Sequence, residues 1–266
     1  MVATRLRTAL LGTRLRAPVV GLRHRGIRAT DAFVASYPKS GNAWLKFMLA
    51  ELVRHGEVDF ESAERTIPAI GRHREAPGLL AGGGRLIKTH EPYRPEYGRA
   101  VYLIRDVRDV VVSYHHYIQW RNNTTIDLDR FVAGWVAGRA DGYGPWHEHV
   151  RSWLEAEEAG APVLILRYEE LREHPVKGLG EVAGFLGIET TPSAIEESIA
   201  HNTIGRMREK EVLNRDFFLR EWKAGQEPGF VRKGAVGDWR TTLSPRHLRM
   251  MEESLPTLAQ LGYPAE

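Results

Sequence analysis

From residue 31 onward, short apolar runs alternate with longer segments of helical period, as strand–helix–strand units around a parallel sheet do. The runs from Ala32 to Tyr37, Arg85 to Thr89, Val101 to Arg105 and Val163 to Tyr168 read as strands. Helical period predicts helices from Ala43 to His55, Val110 to Trp120, Leu128 to Ala137, Trp146 to Ala159, Gly178 to Leu186 and Pro192 to His201. In the first of these, Leu45, Met48, Leu49, Leu52 and Val53 recur at i, i+3, i+4, i+7 and i+8, giving one buried stripe. The expected fold class is α/β, a central parallel β-sheet flanked by helices on both faces. Pro38 and Gly41 flank the first strand-to-helix turn, and Gly82-Gly83-Gly84 precedes the second strand. The stretch from Gly225 to Gly237 reads as a long irregular loop, a feature that is usually functional inside a compact domain. Parallel sheets bind ligands beyond the carboxyl ends of their strands, so function is sought there.

Composition narrows the classes. The 266 residues are 42% hydrophobic and 27% charged, which suits one domain with one core. The 37 Lys and Arg against 34 Asp and Glu leave a formal charge of +3, too small an excess to argue for nucleic acid. With no cysteine, disulfides, thiolate zinc sites, iron–sulfur clusters and a Cys nucleophile are excluded. No apolar run approaches the roughly 18 to 20 residues of a membrane-spanning helix, and a soluble, cytoplasmic protein is expected. Before Asp31, Arg5, Arg7, Arg14, Arg16, Arg23, Arg25 and Arg28 occur with no acidic residue among them. Residues 1–30 therefore stand apart from a domain over 31–266. A flexible basic arm, an amphipathic anchor making peripheral membrane contact and a targeting segment are the open readings.

The run from Phe33 to Trp44 spells a strand, a tight turn with Lys39 and Gly41, and a helix opening near Asn42. Such a turn aims backbone N–H groups and the positive end of the helix dipole at one place, which suits an anion. Lys39 adds a mobile charge there and Ser40 a hydroxyl. The magnesium-nucleotide loop G-x-x-x-x-G-K-[ST] places Lys after its last Gly and then a Ser or Thr. Here Lys39 precedes Gly41, and Asn42 and Ala43 follow it, which suits a donor not cleaved at a β,γ-phosphate. The second strand delivers Lys88, Thr89 and His90 before Pro92 stops it. An imidazole at that edge either takes a proton from an attacking hydroxyl or caps the strand. The third strand delivers Arg105, and the helix beyond carries Ser113; the planar fork of Arg suits a doubly charged phosphate. Arg108 and Asp109 read as ion-pair or helix-start charges. Arg232 and Lys233, followed by Gly234 and Gly237, read as a flexible basic clamp. His115-His116 and the pair His147 and His149 read as helix faces, so no metal site is expected.

In order and spacing these pieces resemble the cytosolic-type sulfotransferase family over roughly residues 31 to 255. Tyr37-Pro38-Lys39-Ser40-Gly41-x-x-Trp44 is similar to the family's Y-P-K-S-G-T-T-W loop, and Lys88-Thr89-His90-x-Pro92 to its K-T-H-x-P strand. Arg105 to Tyr114 resembles R-[ND]-P-[KR]-D-V-x-V-S-Y, with Val107 for Pro. His201 to Met207 falls at H-T-S-F-K-x-M, and Arg232 to Arg240 matches R-K-G-x-x-G-D-W-[KR]. The strand ending Tyr168-Glu169 is similar to the family's strand ending in Tyr-Glu.

The resemblance implies a single P-loop-like domain that moves a sulfuryl group from 3'-phosphoadenosine-5'-phosphosulfate to a hydroxyl or amine of a small molecule. Transfer is expected to be in line and metal-independent, with adenosine 3',5'-bisphosphate as product. It implies His90 as general base, and Lys39 and Lys88 as cations on the bridging and sulfuryl oxygens. Ser40, Gly41, Asn42 and Ala43 are implied at the 5'-phosphate, and Trp44, Tyr168, Thr203, Ile204 and Met207 about the adenine. Arg105, Ser113, Arg232, Lys233 and Gly234 are implied at the 3'-phosphate. Asn42 and Ala43 replace the family's paired Thr, and Ile204 replaces a stacking aromatic, which forgoes about 0.5 to 1.5 kcal/mol. The acceptor pocket is expected around Tyr93, Trp120, Tyr143, Trp146 and Phe230. The family's dimer motif is degraded to Arg240, Ser244, Pro245 and Arg249, so oligomeric state stays open. A nucleotide or nucleoside kinase-like phosphotransferase is opposed by the missing G-K-[ST]; a non-catalytic nucleotide-binding module is opposed by the intact Lys39, Lys88 and His90.

Overall fold

The computed structural model describes residues 16–219 and 228–264. Ahead of the sheet comes α1 (Arg16–His24), and then β1 (Ala32–Ser36), α2 (Asn42–Arg54), α3 (Phe60–Thr66) and β2 (Leu86–Thr89). Next are β3 (Arg99–Ile104), α4 (Val107–Asn122), α5 (Leu128–Val136), α6 (Trp146–Glu158), β4 (Val163–Arg167) and α7 (Tyr168–Glu173). Then follow α8 (Pro175–Leu186), α9 (Pro192–His201), α10 (Ile204–Leu213), α11 (Arg215–Leu219), α12 (Pro245–Met250) and α13 (Leu255–Gln260).

The four strands form one parallel sheet in the order β2-β1-β3-β4, as the alternation of apolar runs and helices implies. Val34 stands opposite Lys88 and Val101, and Ala35 opposite Thr89, so β1 and β2 end level. Successive strand residues face opposite sides, which divides the core in two. Val34, Leu103 and Leu166 pack with Leu45, Met48, Leu49 and Leu52 of α2 and with Leu179, Val182 and Leu186 of α8. Phe33, Ala35, Ile87, Tyr102 and Ile104 pack on the other face with Val110 and Val111 of α4, Trp135, Trp146 and Trp153.

Each expected strand is present, with ends shifted by one or two residues. Helix α4 begins at Val107 because the Asp106 carboxylate caps it, accepting from the Arg108 N–H. Helix α8 starts at Pro175, where the missing N–H of proline costs nothing. Apolar period did not announce α3, α7, α10, α12 or α13, which are short or polar and are set by caps such as Asp59, Thr203 and Ser244. A buried bidentate pair, Arg85 Nε to Asp31 Oδ1 at 2.9 Å and Nη2 to Oδ2 at 2.6 Å, pins the starts of β1 and β2 together.

Of the basic arm, Arg16–His24 is a helix laid on the domain, with Arg85 donating to the Gly26 carbonyl just beyond it. Arg5, Arg7 and Arg14 lie outside the described residues, as do residues 225–227 of the expected loop. Among the described residues no helix is long and apolar enough to cross a membrane.

Candidate active site

A cavity of about 280 Å³ opens at the carboxyl ends of β1, β2 and β3. The turn after β1 reverses the chain with two residues in the left-handed region, Lys39 at φ 71° and Gly41 at φ 97°. A side chain at Gly41 would also strike the Tyr168 ring, its Cβ falling 2.5 Å from Cδ2. Glycine is therefore required twice over, for the backbone angle and for the close approach. Gly41 then caps α2 with no side-chain bond, leaving the first amides of the helix turned toward the cavity.

The half-buried Lys39 holds its ammonium 4.3 Å above the Tyr117 ring and 5.1 Å from that of Phe230. Desolvation, and then the charges of Arg105, Lys88 and Arg232, push its pKa down to about 7, with Glu211 opposing. With Asp109 3.7 Å from Arg105 and Asp238 2.7 Å from Arg232 as its nearest carboxylates, this cluster of four cations suits an anion.

His90 stands one residue past β2. Its Nδ1 lies 2.8 Å from the Ser36 carbonyl oxygen, which can only accept, so Nδ1 carries the proton and Nε2 the lone pair. Beneath it His149 donates from Nε2 to the His90 carbonyl at 3.0 Å and accepts at Nδ1 from the Tyr102 hydroxyl at 2.8 Å. Burial lowers the His149 pKa to about 4, which keeps that ring neutral and its direction of donation fixed. The Tyr143 ring meets His90 edge-on at 5.7 Å, and both line the cavity with Lys88.

At the far end, Arg105 lies 4.6 Å over the Tyr168 ring and donates to the carbonyls of Lys39 and Ala235 at 3.2 and 2.7 Å. The loop over residues 228–237 is held down from two sides. Asp109 accepts from the N–H groups of Gly237 and Trp239 at 2.7 and 3.1 Å. Glu211 accepts from those of Gly229, Phe230 and Val231 at 2.6, 2.7 and 2.9 Å. Arg108 pairs with Asp106 at 2.8 Å, the structural part expected of it.

The cavity wall brings together Lys39, Gly41, Asn42, Ala43, Trp44, Lys88, His90, Arg105, Ser113, Tyr168, Ile204, Met207, Arg232 and Gly234. Three expected residues stand off it. Ser40 is fully buried behind the turn, Thr203 caps α10 by accepting from the Arg206 N–H, and Lys233 pairs with Asp238 at 2.9 Å. Asn42 donates its amide to the Val34 carbonyl at 3.1 Å, so its hydrogen-bonding hand is turned into the sheet. Of the aromatics expected at the acceptor pocket, Tyr143 and Phe230 line the cavity and Trp120 packs behind Phe230 at 6.3 Å. Trp146 is core, and Tyr93 packs edge-on against Trp153 at 5.3 Å instead. Tyr114, Tyr117, Arg121, Arg172 and Asn202 also line the wall; Tyr114 and Asn202 fall inside runs that resemble the family, while Tyr117, Arg121, Arg172 and Glu211 carry no pattern that marks them in sequence.

The wall fits an anion with two separated charges. Arg105 Nε and Arg232 Nε are buried donors with no partner among the described residues, while Arg232 Nη1 donates to Asp238 at 2.7 Å. Trp44, whose Nε1 donates to the Asn202 carbonyl at 2.9 Å, gives a flat apolar face between them and the outer wall.

A parallel sheet with a cationic, left-handed turn after its central β1 and a nucleotide-sized cleft defines a P-loop-like α/β transferase. The chain belongs to the sulfotransferase family: the sulfotransferase domain matches residues 29–256. It is 30% identical over 237 residues to mouse sulfotransferase 1B1, covering 79% of this chain and 76% of that one. It is 29% identical over 239 residues to dog sulfotransferase 1A1, covering 80% and 78%. Among solved structures it is similar to mouse sulfotransferase SULT7A1 complexed with PAP, at TM-score 0.62 and 25% identity over 88% of this chain and 86% of that one. Retinol dehydratase in a complex with retinol and PAP shares the fold, at TM-score 0.72 and 20% identity over 92% and 85%.

Proposed function

We propose that the enzyme transfers a sulfuryl group from 3'-phosphoadenosine-5'-phosphosulfate to a hydroxyl or amine of a small apolar or aromatic acceptor, with His90 as general base. The observation that carries this is the level ending of β1 and β2, which sets Lys39, Lys88 and His90 on one cavity wall shared with Arg105, Ser113 and Arg232. The donor supplies an activated sulfuryl group. Amides of the turn over 39–43 hold its 5'-phosphate, Arg105, Ser113 and Arg232 its 3'-phosphate, and Trp44, Tyr168, Ile204 and Met207 enclose its adenine.

The tautomer set by Ser36 gives His90 a basic Nε2 to take the acceptor's proton as its oxygen or nitrogen attacks sulfur. Lys39 and Lys88 bring positive charge to the oxygen that leaves, a task that needs no metal ion in this reading. Tyr114, Tyr117, Tyr143 and Phe230 form an aromatic wall suited to a flat apolar acceptor.

The test is an acceptor panel of phenols, alcohols and arylamines assayed with radiolabelled donor, with and without EDTA, beside ATP and magnesium. Donor-dependent labelling that survives EDTA is expected. Phosphoryl transfer from ATP, or no labelling of any class, overturns the reading.

A further inference from the structure

Helix α1 lies ahead of residues 29–256, the region that matches the family, yet it reaches the strand end that carries Lys88 and His90. Arg23 donates to the Glu91 carboxylate at 3.1 Å and to the Ile70 carbonyl at 2.7 Å, and the Ile70 N–H donates to the Lys88 carbonyl at 2.8 Å. Arg16 approaches the same carboxylate at 3.8 Å. Glu91 is only 2% exposed, so removing these arginines would leave a buried carboxylate with fewer partners.

His24 makes the second connection. Its Nδ1 donates to the Val20 carbonyl at 2.7 Å, which leaves Nε2 to accept from the Tyr97 hydroxyl at 2.6 Å. Tyr97 then accepts from the Thr89 hydroxyl at 3.3 Å, and Thr89 accepts from the Glu91 N–H at 3.1 Å. Every bond runs the same way, so the whole chain of protons is fixed from the helix to the peptide after His90. The Tyr97 ring that carries it is fully buried and stacked on Trp153 at 5.6 Å and 11°.

We propose that α1 is a working part of the active site, with Arg23 and His24 as positioning residues that hold the strand end bearing Lys88 and His90. Lys88, Thr89 and Glu91 are each reached, so His90 is bracketed on both sides. The proposal rests on the reading of Lys88 and His90 given above, because misplacing a catalytic group by about 1 Å costs up to a hundredfold in rate.

The experiment compares Arg23→Ala and His24→Phe with the wild-type full chain. Turnover is expected to fall about fivefold to fiftyfold while the Kd for adenosine 3',5'-bisphosphate stays within about twofold, since the groups proposed at the phosphates, the turn over 39–43 with Arg105, Ser113 and Arg232, lie outside this network. Amide hydrogen exchange over residues 87–91 speeds up in both variants, and Arg23→Lys recovers much of the lost turnover. Turnover within about twofold of wild type in both variants, or a loss matched by equal losses of nucleotide affinity or of folded protein, overturns the proposal. Should the wild type transfer no sulfuryl group at all, the reading of the reaction fails, and exchange alone decides: unchanged protection at 87–91 overturns the role of α1.

Discussion

In the proposed assignment, the donor side of the cavity is built mainly from a backbone turn and strand ends, whereas the acceptor side is made of aromatic side chains carried by α4 and by two loops. Gly41, Lys39 and Arg105 leave the sheet from β1 and β3, and their directions follow from its register. Tyr117, Tyr143 and Phe230 come from separate segments, and their places depend on latches such as Glu211. The difference teaches that most of the proposed donor charges are placed by sheet register, while the aromatic wall is placed by side-chain packing.

The largest expected effect tests whether chemistry and donor binding separate. His90→Ala should lower turnover at least about a hundredfold with nucleotide affinity unchanged, read by initial rates and calorimetry. A variant keeping more than about a tenth of turnover removes His90 as the base. Next, Gly41→Ala should weaken adenosine 3',5'-bisphosphate binding about tenfold to a hundredfold, from the left-handed backbone and the Tyr168 clash, and leave acceptor KM at saturating donor alone.

Lys39 sharpens the donor side through pH. Its pKa of about 7 in the free enzyme rises when an anion binds, so the complex holds more protons than its separated parts above that pH. Nucleotide affinity should therefore fall as pH rises from about 7 to 9, by up to tenfold per unit, with proton uptake visible in buffers of different ionisation heat. Lys39→Met should flatten that slope. A pH-independent affinity in the wild type refutes the charge cluster.

Two smaller effects probe the border between the halves. Glu211→Ala frees three backbone N–H groups next to both Phe230 and Arg232, and should raise donor and acceptor KM together about threefold to tenfold. A change in acceptor KM alone would confine the latch to one side. Ile204→Phe should tighten nucleotide binding about twofold to tenfold by adding an aromatic face opposite Trp44.

That Lys39, Gly41, Lys88, His90 and Arg105 would meet at one cavity was legible in sequence because strand ends and glycine turns leave fixed local patterns. Lys39, Gly41, Lys88, His90 and Arg105 each follow an apolar run by a set number of residues. The acceptor wall was not, since an aromatic on a helix reads the same whether it faces the core or the cavity. Trp146 is in the core, Tyr93 packs against the core's edge, and Tyr114 and Tyr117 are on the wall. Thr203, implied at the adenine, caps α10 and stands off the cavity wall. Glu211 sits in the charged run of α10, where nothing local separates a latch from a solvated face. Helix α1 was hidden by its arginines, whose partners Glu91 and Ile70 lie 68 and 47 residues away.

The pairing of Val34 with Lys88 and of Ala35 with Thr89 acts as a ruler. Neighbouring strands stand about 4.8 Å apart whatever their side chains, so the span from the Lys39 turn to His90 is written into the sheet. Loops can then drift and admit new acceptors without disturbing the distance over which the group must travel. Chemistry and choice of acceptor are thereby free to change independently, one kept by the pleat and the other by the aromatics above it.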